Sequence, residues 1–286
     1  MPGKCWSAVY RIAIMDWKRW IRSSRLIVCG ILLIFIQIQI IDPMQEAAAL
    51  MNSKLSVMEP FTALGNSGVI VLILPILFLV LMAGFPQKDD IELFYLIRCN
   101  KRVWVWGQLL LAILISVALI LSLLVLSAIM LGGSGEWNPD YSVTITQFTA
   151  VFPERSGSYV VQLIPENLYN HMSLSSAVLH TGLLLFLYFM LLAMILLLSA
   201  LMNQRLYGIL TDGALILLGT VGCAMRTGWM WGFPMAHTIP WLHYTAYLRK
   251  PVFPLSGSYF YFLILDLLLF FACMLAAKHY QPGRKG

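Results

Sequence analysis

Charge is scarce in this chain. Only 11% of its 286 residues are Asp, Glu, Lys or Arg, and 60% are hydrophobic. Roughly a quarter of a soluble domain is charged, so an ordinary soluble fold is excluded. Acids are the rarer sign, 13 against 19 bases, which leaves a net charge of +6. In a soluble protein that excess would suggest nucleic acid; here the placement of the bases along the chain accounts for it, and no nucleic-acid partner is expected. Cysteine is sparse too. The five (Cys5, Cys29, Cys99, Cys223, Cys273) form no Cys-x-x-Cys pair, so neither a zinc site nor a disulfide framework is expected. No Gly-x-x-x-x-Gly-Lys-Ser/Thr phosphate cradle occurs, since Gly132-Gly-Ser-Gly135 lacks the lysine. No nucleotide or other cofactor is therefore expected on this chain. His-Glu-x-x-His and paired Gly-x-x-Asp motifs are also missing, so an intramembrane enzyme is the weakest of the readings and no catalytic residue is assigned.

Long apolar runs are what the sequence has instead. Leu26–Ile41, Gly68–Phe85, Val103–Leu131, Ala177–Met202, Leu206–Met225 and Tyr259–Ala277 each approach the ~20 apolar residues that cross a bilayer as a helix. The first is the shortest and carries Gln37 and Gln39 near its far end. The expected fold is an all-α polytopic membrane protein, one transmembrane domain over residues 1–286 with six transmembrane helices.

The bases divide by segment. Fourteen of the nineteen lie in the N-terminus, Pro86–Arg102, Asn203–Arg205 and the C-terminus; the intervening segments hold only Lys54, Arg155, Arg226, Arg249 and Lys250. By the positive-inside rule both termini are expected in the cytoplasm of a multi-pass protein of the cell membrane, bacterial by inference. The N-terminus is basic and aromatic before any apolar run begins, so no cleavable signal peptide is expected.

Residues 4–25 read as an amphipathic helix lying on the membrane. At 100° per residue Trp6, Val9, Tyr10, Ala13, Trp17, Trp20 and Ile21 share one third of the circumference, and Lys4, Arg11, Lys18, Arg22 and Arg25 oppose them. Trp6, Tyr10, Trp17 and Trp20 are the expected membrane-interface residues, with lipid as their partner. Asp16 near the apolar face does not fit. The helix should enter the first span through a bend at Arg22-Ser-Ser-Arg25.

The segments between spans differ in kind. The three-residue turn Asn203-Gln204-Arg205 forces spans four and five to be antiparallel neighbours. Segment 86–102 is charged and aromatic, with Asp89, Asp90 and Glu92 ahead of Arg98, Lys101 and Arg102, an order that suits the dipole of a short helix. External segments are expected at 132–176, where Tyr141-Ser-Val-Thr-Ile-Thr alternates like a short strand, and at 226–258. The second is rich in Trp, Pro and His, and the reading there is a partly re-entrant stretch packed on protein. His237 and His243 flank Pro240 without helical register. Pro75 is expected to kink span two.

Two acids fall within apolar runs, Asp212 in the inner half of the fifth and Asp266 near the middle of the last. A charge in hydrocarbon costs at least ~2.5–3.5 kcal/mol, so both must face protein or water, or stay protonated. Hydrogen bonds to Ser, Thr or Tyr of a neighbouring helix would satisfy them. A proton or cation site would make the chain an ion-coupled secondary transporter, although no internal repeat between residues 1–130 and 178–286 supports that.

The stretch Glu92-Leu-Phe-Tyr-Leu-Ile-Arg-Cys-Asn-Lys101-Arg-Val-Trp-Val-Trp-Gly107-Gln108 resembles the loop before the third span in permeases of the ABC type II exporter family. Glu92, Lys101 and Gly107 match the family's acid, base and glycine without a gap. Gln108 stands where a lysine is usual, and Lys88-Asp89-Asp90 replaces the common Arg-Gly-Thr. The resemblance implies a permease that moves cargo outward and binds no nucleotide itself. Its implied partners are a cytosolic ABC ATPase that holds ATP and Mg, and a second copy or a related permease. It also implies that 86–102 is the coupling helix, with Asp89, Asp90, Glu92, Phe94, Tyr95, Arg98 and Lys101 at the ATPase contact. The apolar, aromatic bundle favours an amphipathic or hydrophobic cargo such as a peptide, a lipid-like molecule or a drug.

Overall fold

Leu174–Leu201 is apolar on every face, the pattern of a helix surrounded on all sides, and it forms the centre of the molecule. The structure is a computed structural model that describes residues 2–67, 70–86, 100–246 and 250–280. In chain order its helices are α1 (Pro2–Ile21), α2 (Ser24–Met51), α3 (Glu59–Asn66), α4 (Ile73–Met82), α5 (Lys101–Leu131) and α6 (Val143–Val151). They continue with α7 (Tyr159–Leu163), α8 (Glu166–Tyr169), α9 (Leu174–Leu201), α10 (Arg205–Met225), α11 (Pro234–Thr238) and α12 (Leu255–His279). Five of them, α2, α5, α9, α10 and α12, are long and apolar enough to cross a membrane. This is an all-α membrane protein.

The central α9 packs against α12, α10, α5 and α3, and α1 lies along α5. Aromatic stacking of Phe78 on Phe189, with centroids 4.4 Å apart, fixes α4 to α9. Close approach of α3 requires Gly65, because a Cβ there would overlap the Thr181 side chain of α9. Beside it Asn66 donates to Thr181 Oγ1 at 2.8 Å and to Thr62 O at 3.0 Å. The α9–α10 turn is made by Asn203 in the left-handed region, φ 58°. Asparagine tolerates that conformation well, and the two helices pack as the neighbours that so short a turn requires.

Several expectations change. The first span does not end at Ile41: a π-helical stretch, Gln37–Ile41, carries the helix on to Met51. Gln37 donates to Asp42 Oδ1 at 2.5 Å, so one of the two glutamines that marked an apparent end is satisfied within the helix. The second apolar run, Gly68–Phe85, holds no helix of spanning length among the described residues, only the ten-residue α4; the separate α3 precedes it, with Ser67 extended after Asn66. Pro75 therefore does not kink a long helix. It stands third in α4, where its missing N–H has no intrahelical partner to lose. The stretch from Tyr141 is not a strand: the Ser142 hydroxyl accepts from Ile145 N and starts α6, which buries Thr144 and Phe148 one turn apart. Among the described residues the strands are Leu55–Ser56 and Gly135–Glu136, paired in parallel.

Candidate functional site

Two polar assemblies stand at opposite ends of the bundle. The basic end carries α1, Arg205 and the C-terminus of α12; the far end carries segment 228–243.

At the basic end α1 is not laid entirely on lipid. Its apolar face divides: Val9, Ile12 and Ala13 are buried against α5, while Trp6 and Tyr10 are 64% and 60% exposed. Trp17 and Trp20 are half-buried and stack at 5.4 Å, and the Trp20 indole donates to Leu81 O at 3.2 Å. Asp16, the residue that did not fit, is buried, and Gln108 donates to its Oδ2 at 2.8 Å. Arg19 lies 3.8 Å from the other carboxylate oxygen. Gly107 makes the approach possible, since a Cβ there would sit 2.7 Å from Ile12 Cγ2. The Gly107–Gln108 pair of the loop motif is thus the seat of α1. The helix ends at Ile21, and the expected bend follows, with the Ser23 hydroxyl accepting from Arg25 N at 3.3 Å.

Of the residues expected at an ATPase contact, Asp89, Asp90, Glu92, Phe94, Tyr95 and Arg98 lie outside the described residues. The chain on either side of them is held by neighbouring helices. Before them, Arg205 at the start of α10 donates to Pro86 O, and a Cβ at Gly84 would overlap the Arg25 guanidinium. After them, Asn100 caps α5 by accepting from Arg102 N at 3.2 Å. Lys101 donates to Tyr280 O at 2.6 Å, and Trp104 stacks on the Tyr280 ring with centroids 5.9 Å apart. Both ends of segment 87–99 are therefore tied to other helices: one to α10 and the α1–α2 bend, the other to the end of α12.

Within the bundle, Asp212 of α10 is fully buried, and neither carboxylate oxygen has a hydrogen-bond partner among the described residues. The expected interhelical hydrogen bond is not made. Tyr188 of α9, within electrostatic reach of Asp212, has an unpartnered hydroxyl as well. Asp266 is only half-buried, with Oδ1 unpartnered. The structure does not bring the two aspartates into hydrogen-bonding contact.

At the far end, segment 228–243 folds into short turns and α11 and packs on α9, α10 and α12. His237 and His243, which have no common helical register, meet on one atom. His237 Nδ1 lies 2.8 Å and His243 Nε2 2.7 Å from Ser258 Oγ, and all three residues are buried. Their other ring nitrogens face main-chain carbonyls, His237 Nε2 at 2.9 Å from Trp231 O and His243 Nδ1 at 3.3 Å from Ile239 O. Tyr261 stacks on the His237 ring at 4.0 Å, and Trp231 meets His243 edge-on at 5.0 Å. Burial pushes the His243 imidazole down to about 4 and lowers that of His237 too, although the carbonyl bonds pull the other way. Nothing in the sequence marks Ser258 as their partner. No group of three or more His, Cys, Asp or Glu side chains suited to a metal occurs among the described residues.

Comparison with protein-family models, with curated proteins and with solved structures returns no match.

Proposed function

We propose that the chain is the transmembrane permease subunit of an ATP-driven exporter, with six crossings and both termini in the cytoplasm. In this reading α3 and α4 together make the second crossing. A separate cytosolic ATPase supplies the energy, and a second permease, identical or related, completes the pathway. The cargo is amphipathic or hydrophobic: a peptide, a lipid-like molecule or a drug.

The observation that supports this best is the fastening of segment 87–99 at both ends. A segment that receives force from a partner transmits it only if its ends are attached to what must move. Here Arg205 and Lys101 attach those ends to α10 and α12, and Gly107 and Gln108 seat α1 on the helix that follows. Closure of two ATPases on this segment would then shift α10 and α12 together with α1, the rigid-body kind of transition that alternates access. The resemblance of the Glu92–Gln108 stretch points the same way.

The test is whether a neighbouring reading frame encodes an ATPase with a phosphate-binding loop, followed by co-expression with it. Phe94→Ala and Tyr95→Ala should weaken its co-purification, since truncating an interface aromatic can cost ~2 kcal/mol or more, roughly thirtyfold in affinity. If both variants retain the ATPase and support its hydrolysis like the parent, segment 87–99 is not the contact.

An ion-coupled transporter remains the second reading, favoured by one observation: the buried, unpartnered carboxylate of Asp212. Ion-gradient dependence of transport without any ATPase would select it.

A further inference from the structure

The His237–Ser258–His243 assembly has more contacts than protons. Four short contacts need four hydrogens, one for each carbonyl and one for each nitrogen–Oγ pair. Two neutral imidazoles and one hydroxyl supply only three. The contact lengths show where the shortage falls. Three lie between 2.7 and 2.9 Å and the fourth, His243 Nδ1 to Ile239 O, is 3.3 Å. The proton order that fits runs one way: His243 Nε2–H donates to Ser258 Oγ, Ser258 O–H donates to His237 Nδ1, and His237 Nε2–H donates to Trp231 O.

Every link in this relay joins segment 228–243 to itself or to the first turn of α12, and the Ser258 hydroxyl is hydrogen-bonded to both rings. We propose that His237, Ser258 and His243 form an acid-released latch that holds segment 234–243 on α12. A proton added at His243 Nδ1 would complete the long Ile239 contact, but it places a cation in a buried enclosure of Trp231, Phe253 and Tyr261, and that burial outweighs the one bond gained. Among the described residues the ionisable groups around it do not compensate. On α9 there is His180, bonded at 2.8 Å to Tyr259 of α12, and on α10 there are Cys223 and, just beyond its end, Arg226, which sits over Trp241 at 5.5 Å. The helix α8, packed on residues 240–243, carries Glu166, which interacts with Tyr169, and His171 follows it, stacked on Tyr244 at 4.7 Å. Asp266 lies two turns deeper in α12.

The sign follows from linkage. The closed rings titrate below the ordinary value of 6.5, His243 at about 4, so an open segment with ordinary imidazoles binds more protons between those two values. The closed state is fully favoured above 6.5 and loses stability as pH falls toward 4.

Two measurements on the full chain in detergent decide it. The protein has five histidines, so imidazole nitrogen NMR on histidine-labelled chain is tractable. At pH 7.5 both His237 and His243 should show the Nε2–H tautomer; an Nδ1–H tautomer at His243 overturns the relay. The second is thiol modification of a lone cysteine at Ala236, which is fully buried, relative to one at Trp137, which is 77% exposed. That ratio should rise as the pH drops below 6.5, by up to about tenfold per pH unit for each imidazole, and His237→Gln with His243→Gln should abolish the rise. A flat ratio in the parent, or a rise that survives both glutamines, overturns the latch. Should the double variant not fold, the parent's pH profile and the tautomers decide the matter by themselves.

Discussion

Gln108 donates a hydrogen bond to Asp16 across 2.8 Å and so joins the N-terminal helix to the start of α5. The two residues belong to segments that sequence reasoning treats separately, one a membrane anchor and the other the end of a loop motif. Their contact makes α1 part of the bundle. It also gives the loop motif a mechanical sense, because Gly107 opens the space that Ile12 fills and Gln108 satisfies the acid beside it.

The first prediction follows from that contact. Gln108→Leu leaves an oxygen of the buried Asp16 without its donor, and an unsatisfied buried group costs ~1–3 kcal/mol, more for a charged one. Gln108→Lys, which restores the residue usual in the resembling family, places a cation there and should keep the stability. Thermal unfolding in detergent should therefore rank the parent and Gln108→Lys together above Gln108→Leu. Equal melting of all three would mean that the Gln108 bond does not stabilise the seat of α1.

A second prediction concerns Gly107. Alanine there forces Ile12 to give way, and overpacking a filled interface costs typically ~1–3 kcal/mol. Gly107→Ala should loosen α1 without removing any span. Proteolysis within α1 should accelerate while the spanning helices stay protected; an unchanged digestion pattern would show that Ile12 moves freely.

What the sequence made legible follows from how far apart the deciding residues lie. Continuous apolar runs place α5, α9, α10 and α12 to within a few residues, because helix length in a bilayer is a local property. The shortness of α4 and the separate α3 before it were not legible, since Asn66 at the end of α3 is held by Thr181, distant in the chain. Alternation in Tyr141–Thr146 suggested a strand, and one capping hydroxyl at Ser142 turned the segment into a helix. The loop motif was readable as a pattern, but the reason for its glycine lay in α1. His237 and His243 were noticed and left without a role because Ser258, 21 and 15 residues away respectively, is brought between them only by the fold.

Orientation can be tested directly. The bases segregate so that Cys99 should lie in the cytoplasm and a cysteine introduced at Ser134 should lie outside. An impermeant thiol reagent on intact cells should reach position 134 and spare Cys99; the opposite labelling reverses the whole topology.

The tie between Arg205 and Pro86 O makes a prediction about coupling rather than binding. Arg205→Gln loses the charge and shortens the reach to the carbonyl that fastens the front of segment 87–99 to α10. The ATPase should still co-purify, because the segment itself is unchanged. Cargo-stimulated hydrolysis should fall, because α10 no longer follows the segment. Loss of co-purification would instead mean that Arg205 touches the partner, and unchanged stimulation would mean that force passes through Lys101 and α12 alone.

The two intramembrane acids should separate the exporter reading from the ion-coupled one. Asp266 is half-buried, and asparagine keeps its size and polarity, so Asp266→Asn should leave transport intact under the exporter reading. Asp212 is the sharper probe because it is fully buried with neither oxygen partnered. In an ATP-driven permease Asp212→Asn removes an ionisable group from hydrocarbon and should hold or raise thermal stability, with transport retained. In an ion-coupled transporter the same change removes the group that carries the ion, and transport should collapse while expression and assembly stay normal. Transport measured in proteoliposomes, with ATP and with an imposed proton or sodium gradient in turn, distinguishes the two. Full loss in Asp212→Asn with normal assembly, together with transport driven by the gradient alone, would rule out the exporter assignment.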